Sequence, residues 1–343
     1  MIPLAQALRT QPGIFAHDYQ PAADAVSFVR LSEAEIAEAS FLDSRTLTPG
    51  RPAEARPFAE AEAAAAGLPE QLGFIFHIGH VGSTLLSRLL GRHHGVLSLR
   101  EPQAFRTLAA LHLERERPES LFTPAEFDRR LSLFLRLWSR PFRSGQLPLV
   151  KATSGCGALA ADVLTRPSEP RAIFMTVKAE PFLATILGGE NNPVDIRGHA
   201  PARLRRLHAR LGEPRFRLSE MSLGEMTAMS WASETAALSA AAEAAPGQSL
   251  WLDFDQFLQA PAEHLSRVLR HLGREATAAE AAALAASPDL GRYAKAPEHA
   301  YDAALRAAVL DQARARRGDE IAQGMAWLER LRTDSPDLLR SAT

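Results

Sequence analysis

The sequence predicts an α/β protein in which a parallel sheet is flanked by helices, with a helical lobe and an N-terminal extension. Three observations predict this. Short apolar runs bounded by turn residues recur along the chain, as buried parallel strands do. Helical patterns separate them, and strands alternating with helices make βαβ units. The first run, Phe74–Ile78, also leads through Gly79–Gly82 into a helix, a junction that exposes backbone N–H groups.

The first 70 residues read as the extension, covering the core and carrying no visible chemistry. Ser32 and Glu35 form a capping-box pattern for a short helix. A loop with Pro49, Pro52 and Pro57 then leads to an Ala/Glu helix ending near Gly67. Residues 71–335 make the main α/β unit with helical insertions. After Phe74–Ile78, Ser83–Leu90 places leucines at helical spacing, and Gly95–Leu99 is the next strand. Thr123, Pro124 and Glu126 mark a helix start. Leu147–Val150, Ala172–Val177 and Gln248–Leu252 are further strands. Helices are expected at 158–164, 201–212, 222–244 and 277–287, and Asp255 reads as a helix N-cap.

Composition excludes several function classes. A formal net charge of −1 over 343 residues gives no global field for nucleic acid. Arg203–Arg206 and Arg314–Arg317 read as solvated helix faces. Cys156 is the only cysteine, so no intrachain disulfide is possible. Met1–Gly13 lacks the pattern of a signal peptide, and no apolar run approaches the roughly 20 residues of a membrane span. A cytoplasmic location is expected. Metal is not expected at His93–His94 or at His77/His80, because no Cys or carboxylate stands at ligand spacing.

The junction at Gly79–Thr84 is the chemical centre. Free N–H groups and the helix dipole make an anion site there, to which Ser83 and Thr84 add hydroxyls. It is not a Walker A loop: aligning Gly82 with that motif's second glycine puts Ser83 where lysine belongs. ATP–magnesium chemistry is disfavoured accordingly. A plain strand-to-helix turn remains the alternative at this point.

Phe76–Leu86 resembles the phosphosulfate loop of sulfotransferases, in particular the tyrosylprotein and bacterial branch. Gly82-Ser83-Thr84-Leu85-Leu86 matches its G-T-T-L-L, and His80 stands where that branch has arginine. Gly95–Pro102, Leu149–Thr153, Trp251–Leu258 and Gly291–Lys295 resemble further family segments in the family's order, so the likeness covers roughly 73–300. It implies a P-loop NTPase-like sheet and metal-independent transfer of a sulfuryl group from 3′-phosphoadenosine 5′-phosphosulfate to a hydroxyl or amine. By the same likeness Glu101 is the catalytic base, Lys151 stabilises the transferring group and His80 adds a donor. The nucleotide would be held by Gly79, His80, Val81, Gly82, Ser83, Thr84, Leu85, Lys178, Thr185, Tyr293 and Lys295. One segment departs from the family: its Arg-Asp-Pro motif for the 3′-phosphate is replaced by Lys178-Ala-Glu-Pro181, and Thr185 falls one short of the expected serine.

Two other readings stay open, a catalytically silent scaffold that binds a nucleotide or a partner, and an atypical phosphotransferase. Nothing in the sequence identifies the small-molecule or peptide acceptor, or the oligomeric state.

Overall fold

The computed structural model describes residues 2–48, 50–51, 53–190, 192–292 and 302–339. Its N-terminal part is more regular than the sequence suggests. After helix α1 (Leu4–Thr10), strands β1 (Ile14–Gln20), β2 (Ala25–Arg30) and β3 (Glu54–Pro57) form an antiparallel sheet in the order β1-β2-β3. Between them lies α2 (Glu33–Glu38), opened by the Ser32–Glu35 capping box, and after them α3 (Phe58–Ala64). This sheet was not expected. Almost all of β1 is buried, so its apolar residues do not alternate, and the charged β3 has no strand signature and pairs only because β2 lies beside it.

The main sheet follows the predicted runs. Strands β4 (Gly73–His77), β5 (Val96–Arg100), β6 (Leu147–Lys151), β7 (Arg171–Thr176) and β8 (Ser249–Asp253) are all parallel, in the order β5-β6-β4-β7-β8. Helix α4 (Ser83–Gly91) connects β4 to β5, while α5 (Gln103–Glu114) and α6 (Pro124–Trp138) connect β5 to β6. The capping box of Thr123 and Glu126 starts α6. A short α7 (Ala160–Leu164) precedes β7.

The helical lobe is built from α8 (Ala179–Gly188), α9 (Asn192–Leu211), α10 (Leu223–Ala244) and the long α14 (Ala303–Asp334). Helices α11 (Phe254–Gln259), α12 (Pro261–His271) and α13 (Ala278–Ala285) lie between β8 and α14. Helix α9 starts earlier than expected and runs through Pro201, which the sequence had placed at the helix start. At the α10–α14 crossing a Cβ on Gly324 would stand 2.6 Å from the Gly224 carbonyl, so two glycines set the approach of these backbones.

Apolar residues from both parts share one core. Phe74 and Phe76 stack at 5.5 Å, and Phe105 meets Trp138 edge to face at 5.8 Å. The Trp138 indole N–H donates to Ala16 O at 2.9 Å, fastening the N-terminal sheet to this cluster. Among the described residues no helix is long and apolar enough to cross a membrane.

Candidate functional site

Strand β4 has β6 on one side and β7 on the other, and the chain fills the first side before crossing to the second. The carboxyl end of β4 is therefore the topological switch point, where open α/β sheets hold ligands. His77 closes the strand. Its Nδ1 accepts from the Gly79 N–H at 3.0 Å and its Nε2 meets Ala152 O at 2.9 Å. A ring nitrogen that accepts from an amide carries no proton, so the proton sits on Nε2, which donates to the carbonyl.

The turn is held in left-handed backbone at Gly79 (φ 95°), His80 (φ 54°) and Gly82 (φ 67°). Gly82 is required twice over, because a Cβ there would lie 2.0 Å from the Phe254 ring. Ser83, Thr84 and Leu85 open α4, so their N–H groups have no intrahelical acceptor. Val81 and Leu85 are buried in the core, which leaves only their backbone to face a ligand. The Thr84 side chain differs. It is buried, yet its hydroxyl has no hydrogen-bond partner, a state that costs about 1–3 kcal/mol unless something completes it.

The structure brings Glu101 and Lys151 together at the ends of β5 and β6. Lys151 is 1% exposed and Glu101 5%, and the ammonium sits against Oε1 of the carboxylate. Oε2 accepts from Arg106 Nη2 at 2.7 Å and from the Thr153 hydroxyl at 3.0 Å, and that hydroxyl accepts from Arg106 Nε at 2.9 Å. Burial alone would raise the Glu101 carboxyl. The Lys151 charge and hydrogen bond, with Arg106 behind them, outweigh burial and hold it at about 2. In this arrangement Glu101 is a weak base. Its backbone is also strained, with φ at 50°.

That strain is fixed by the N-terminal segment. Leu42 N–H donates to Arg100 O at 2.6 Å, Gln103 N–H donates to Leu42 O at 3.1 Å, and Glu101 N–H donates to Lys151 O at 2.7 Å. The Arg100 guanidinium, pulled down to about 10 by burial, donates to Ala39 O at 2.7 Å and Ile36 O at 3.0 Å. Asp43 adds a charge: it pairs with Arg45 and lies 3.8 Å from Arg106. Sequence reasoning missed Arg106 and Asp43. The first sits one helical turn beyond Glu101 among many arginines, and the second is brought in only by the fold.

The other predicted residues fall elsewhere. Lys178 is exposed at the start of α8, and the Thr185 hydroxyl donates to Pro181 O at 2.7 Å within that helix. Tyr293 and Lys295 lie outside the described residues. Asp253, not Asp255, caps α11, accepting from Gln256 N at 3.0 Å, because the helix follows β8 directly with no loop between them. Asp255 pairs instead with Arg306 at 2.6 Å. The basic clusters are not simply solvated faces: Arg203 and Arg206 pair with the buried Glu234, and Arg314 pairs with Glu180. A carboxylate does accompany His93 and His94, since the fold carries Glu280 to within 4.8 Å of their ligand atoms. His93 Nδ1 accepts from Gly95 N at 3.1 Å, so its proton lies on Nε2.

No family model and no curated protein matches this chain. Among solved structures it is similar to the sulfotransferase domain from the curacin biosynthetic pathway, with 13% identity and a TM-score of 0.40 over 67% of this chain and 83% of that one. It is also similar to the sulfotransferase domain from the Synechococcus PCC 7002 olefin synthase, at 12% identity and a TM-score of 0.39 over 75% of this chain and 94% of that one. Sulfotransferase STF9 from Mycobacterium avium gives 11% and 0.39, over 91% and 95%. These similarities are too distant to bear on residue roles or substrates.

Proposed function

We propose that this chain transfers a sulfuryl group from 3′-phosphoadenosine 5′-phosphosulfate to a hydroxyl or amine acceptor, without a metal. The observation that carries the proposal is the buried, unpartnered Thr84 hydroxyl beside the open N–H groups of α4, in a loop that has Ser83 where a Walker lysine would stand. A phosphosulfate supplies the anion this cradle completes, whereas the γ-phosphate chemistry of ATP needs the missing lysine.

In this reading the donor's bridging and sulfuryl oxygens face Ser83, Thr84 and Lys151. Lys151 and Glu101 then act in sequence. An anion held by the α4 loop competes with Glu101 for the ammonium, and as Lys151 turns to the anion the carboxyl loses its main stabiliser. Burial then raises it toward the range in which it accepts a proton from the acceptor. Donor binding thus switches on the base. Lys178 is assigned to the 3′-phosphate with help from Thr185 or Lys295, Tyr293 to the nucleotide, and His80 to a supporting donor.

A silent scaffold is favoured by one observation, the tight Glu101–Lys151 pair, which is inert if no anion ever separates it. Thermal unfolding with ligands tests the choice of donor. In the presence of chelator, 3′-phosphoadenosine 5′-phosphate at 100 times its dissociation constant stabilises by about 2.7 kcal/mol, and ATP does not. A magnesium-dependent shift with ATP alone sinks the proposal in favour of a phosphotransferase.

A further inference from the structure

Two arginines stand at the mouth of the Glu101 site with part of each guanidinium unused. Arg45 comes from the N-terminal segment. Its Nε donates to Asp43 Oδ1 at 2.8 Å, its Nη2 contacts the other oxygen of the same carboxylate, and its guanidinium lies 3.6 Å from the centre of the Phe41 ring. Held on both sides, its side chain is still 56% exposed, and among the described residues Nη1 finds no hydrogen-bond partner. Arg106 is arranged in the same way. Nε and Nη2 are committed to Thr153 and Glu101, Nη1 finds no hydrogen-bond partner among the described residues, and the side chain is 38% exposed. Both guanidinium groups flank Asp43, so they are neighbours.

An exposed arginine ordinarily keeps its rotamer freedom, and a ligand that fixes it must overcome that entropy. Here the freedom is already gone. The segment that carries Arg45 is itself fastened by the Leu42 backbone bonds and by Arg100 to the strand end bearing Glu101.

We propose that the preordered Arg45 and Arg106 receive an anionic group of the acceptor, so that the substrate class is a small hydroxyl compound bearing a carboxylate or a phosphate. This rests on the reading of Glu101 as the base. The guanidinium edges recognise the two oxygens of such a group through charge-assisted hydrogen bonds and turn the acceptor hydroxyl toward the carboxylate. The N-terminal segment is then the acceptor-side wall of the site rather than a cover.

The test uses the full chain, labelled donor and matched acceptors. 3-(4-Hydroxyphenyl)propionate and its amide probe a carboxylate, and glycerol 3-phosphate and glycerol probe a phosphate. We expect kcat/KM at least tenfold higher for one anionic member than for its neutral counterpart, shrinking as salt is added. Arg45→Met abolishes that preference, lowering kcat/KM for the anionic member to that of its neutral counterpart. Whichever pair shows the preference identifies the anion. Equal use of charged and neutral members, or a preference that survives Arg45→Met, overturns the proposal. If no acceptor is turned over, calorimetry on protein saturated with 3′-phosphoadenosine 5′-phosphate decides, and equal or absent binding of the anionic members overturns it as well. Glu101-dependent hydrolysis of the donor by water is measured alongside. Its presence without an anion preference removes only this inference, whereas its absence removes the enzymatic reading beneath it.

Discussion

Replacing Glu101 by Gln removes one charge from a buried pair and leaves Lys151 without that counter-charge in the protein interior. The fall of the Glu101 carboxyl from 4.5 to about 2 corresponds to a preference for the charged form on the order of 3 kcal/mol. Breaking a buried pair from one side costs a similar amount, roughly 3–5 kcal/mol. Urea unfolding at pH 7 should therefore show Glu101→Gln destabilised on that scale. Lys151→Met should also be destabilised, but by less, because Arg106 and Thr153 still hold the carboxylate. The double variant should lose clearly less than the two single losses combined, since no uncompensated charge remains. The pH dependence has a definite sign. A carboxyl held low by the fold stabilises the protein above its unfolded value near 4.5, and that stability is lost as pH falls toward 2. The gap between wild type and Glu101→Gln should narrow over that window. A gap independent of pH, or additive single losses, refutes the picture of a coupled buried pair.

Two further outcomes follow. Thr84→Val should leave the free protein as stable as wild type or slightly more so, because it removes an unpaired buried hydroxyl, while weakening 3′-phosphoadenosine 5′-phosphate by about 1–3 kcal/mol in calorimetry; a loss of stability without a loss of affinity means the hydroxyl serves the fold. Lys178→Ala should weaken the bisphosphate far more than adenosine 5′-phosphosulfate, and equal effects on both remove Lys178 from the 3′-phosphate.

Much of the main sheet was legible because parallel strands are buried on both faces and read as unbroken apolar runs, as Phe74–Ile78 and Ala172–Val177 do. The α4 junction was legible for a local reason: its glycines and hydroxyls are consecutive. Long-range consequences were not. Glu101 and Lys151 stand 50 residues apart, and nothing local says that one will neutralise the other. The N-terminal strands escaped because β1 is buried along nearly all of its length and β3 has no apolar pattern of its own. With them went Asp43, Arg45 and the backbone bonds that fix Glu101, which is why the extension looked chemically empty. Asp255 reads in the sequence as the cap of α11, a role that falls to Asp253 because the helix follows β8 without a loop.

The most direct test of the whole account follows labelled 3′-phosphoadenosine 5′-phosphosulfate with the full chain, in chelator, with and without acceptor. The account predicts release of 3′-phosphoadenosine 5′-phosphate that chelator does not slow. Glu101→Gln should lower it by roughly a hundred- to ten-thousand-fold, with donor affinity held within a few-fold. Donor that binds but is never turned over by the wild-type chain, or turnover that Glu101→Gln leaves unchanged, contradicts it.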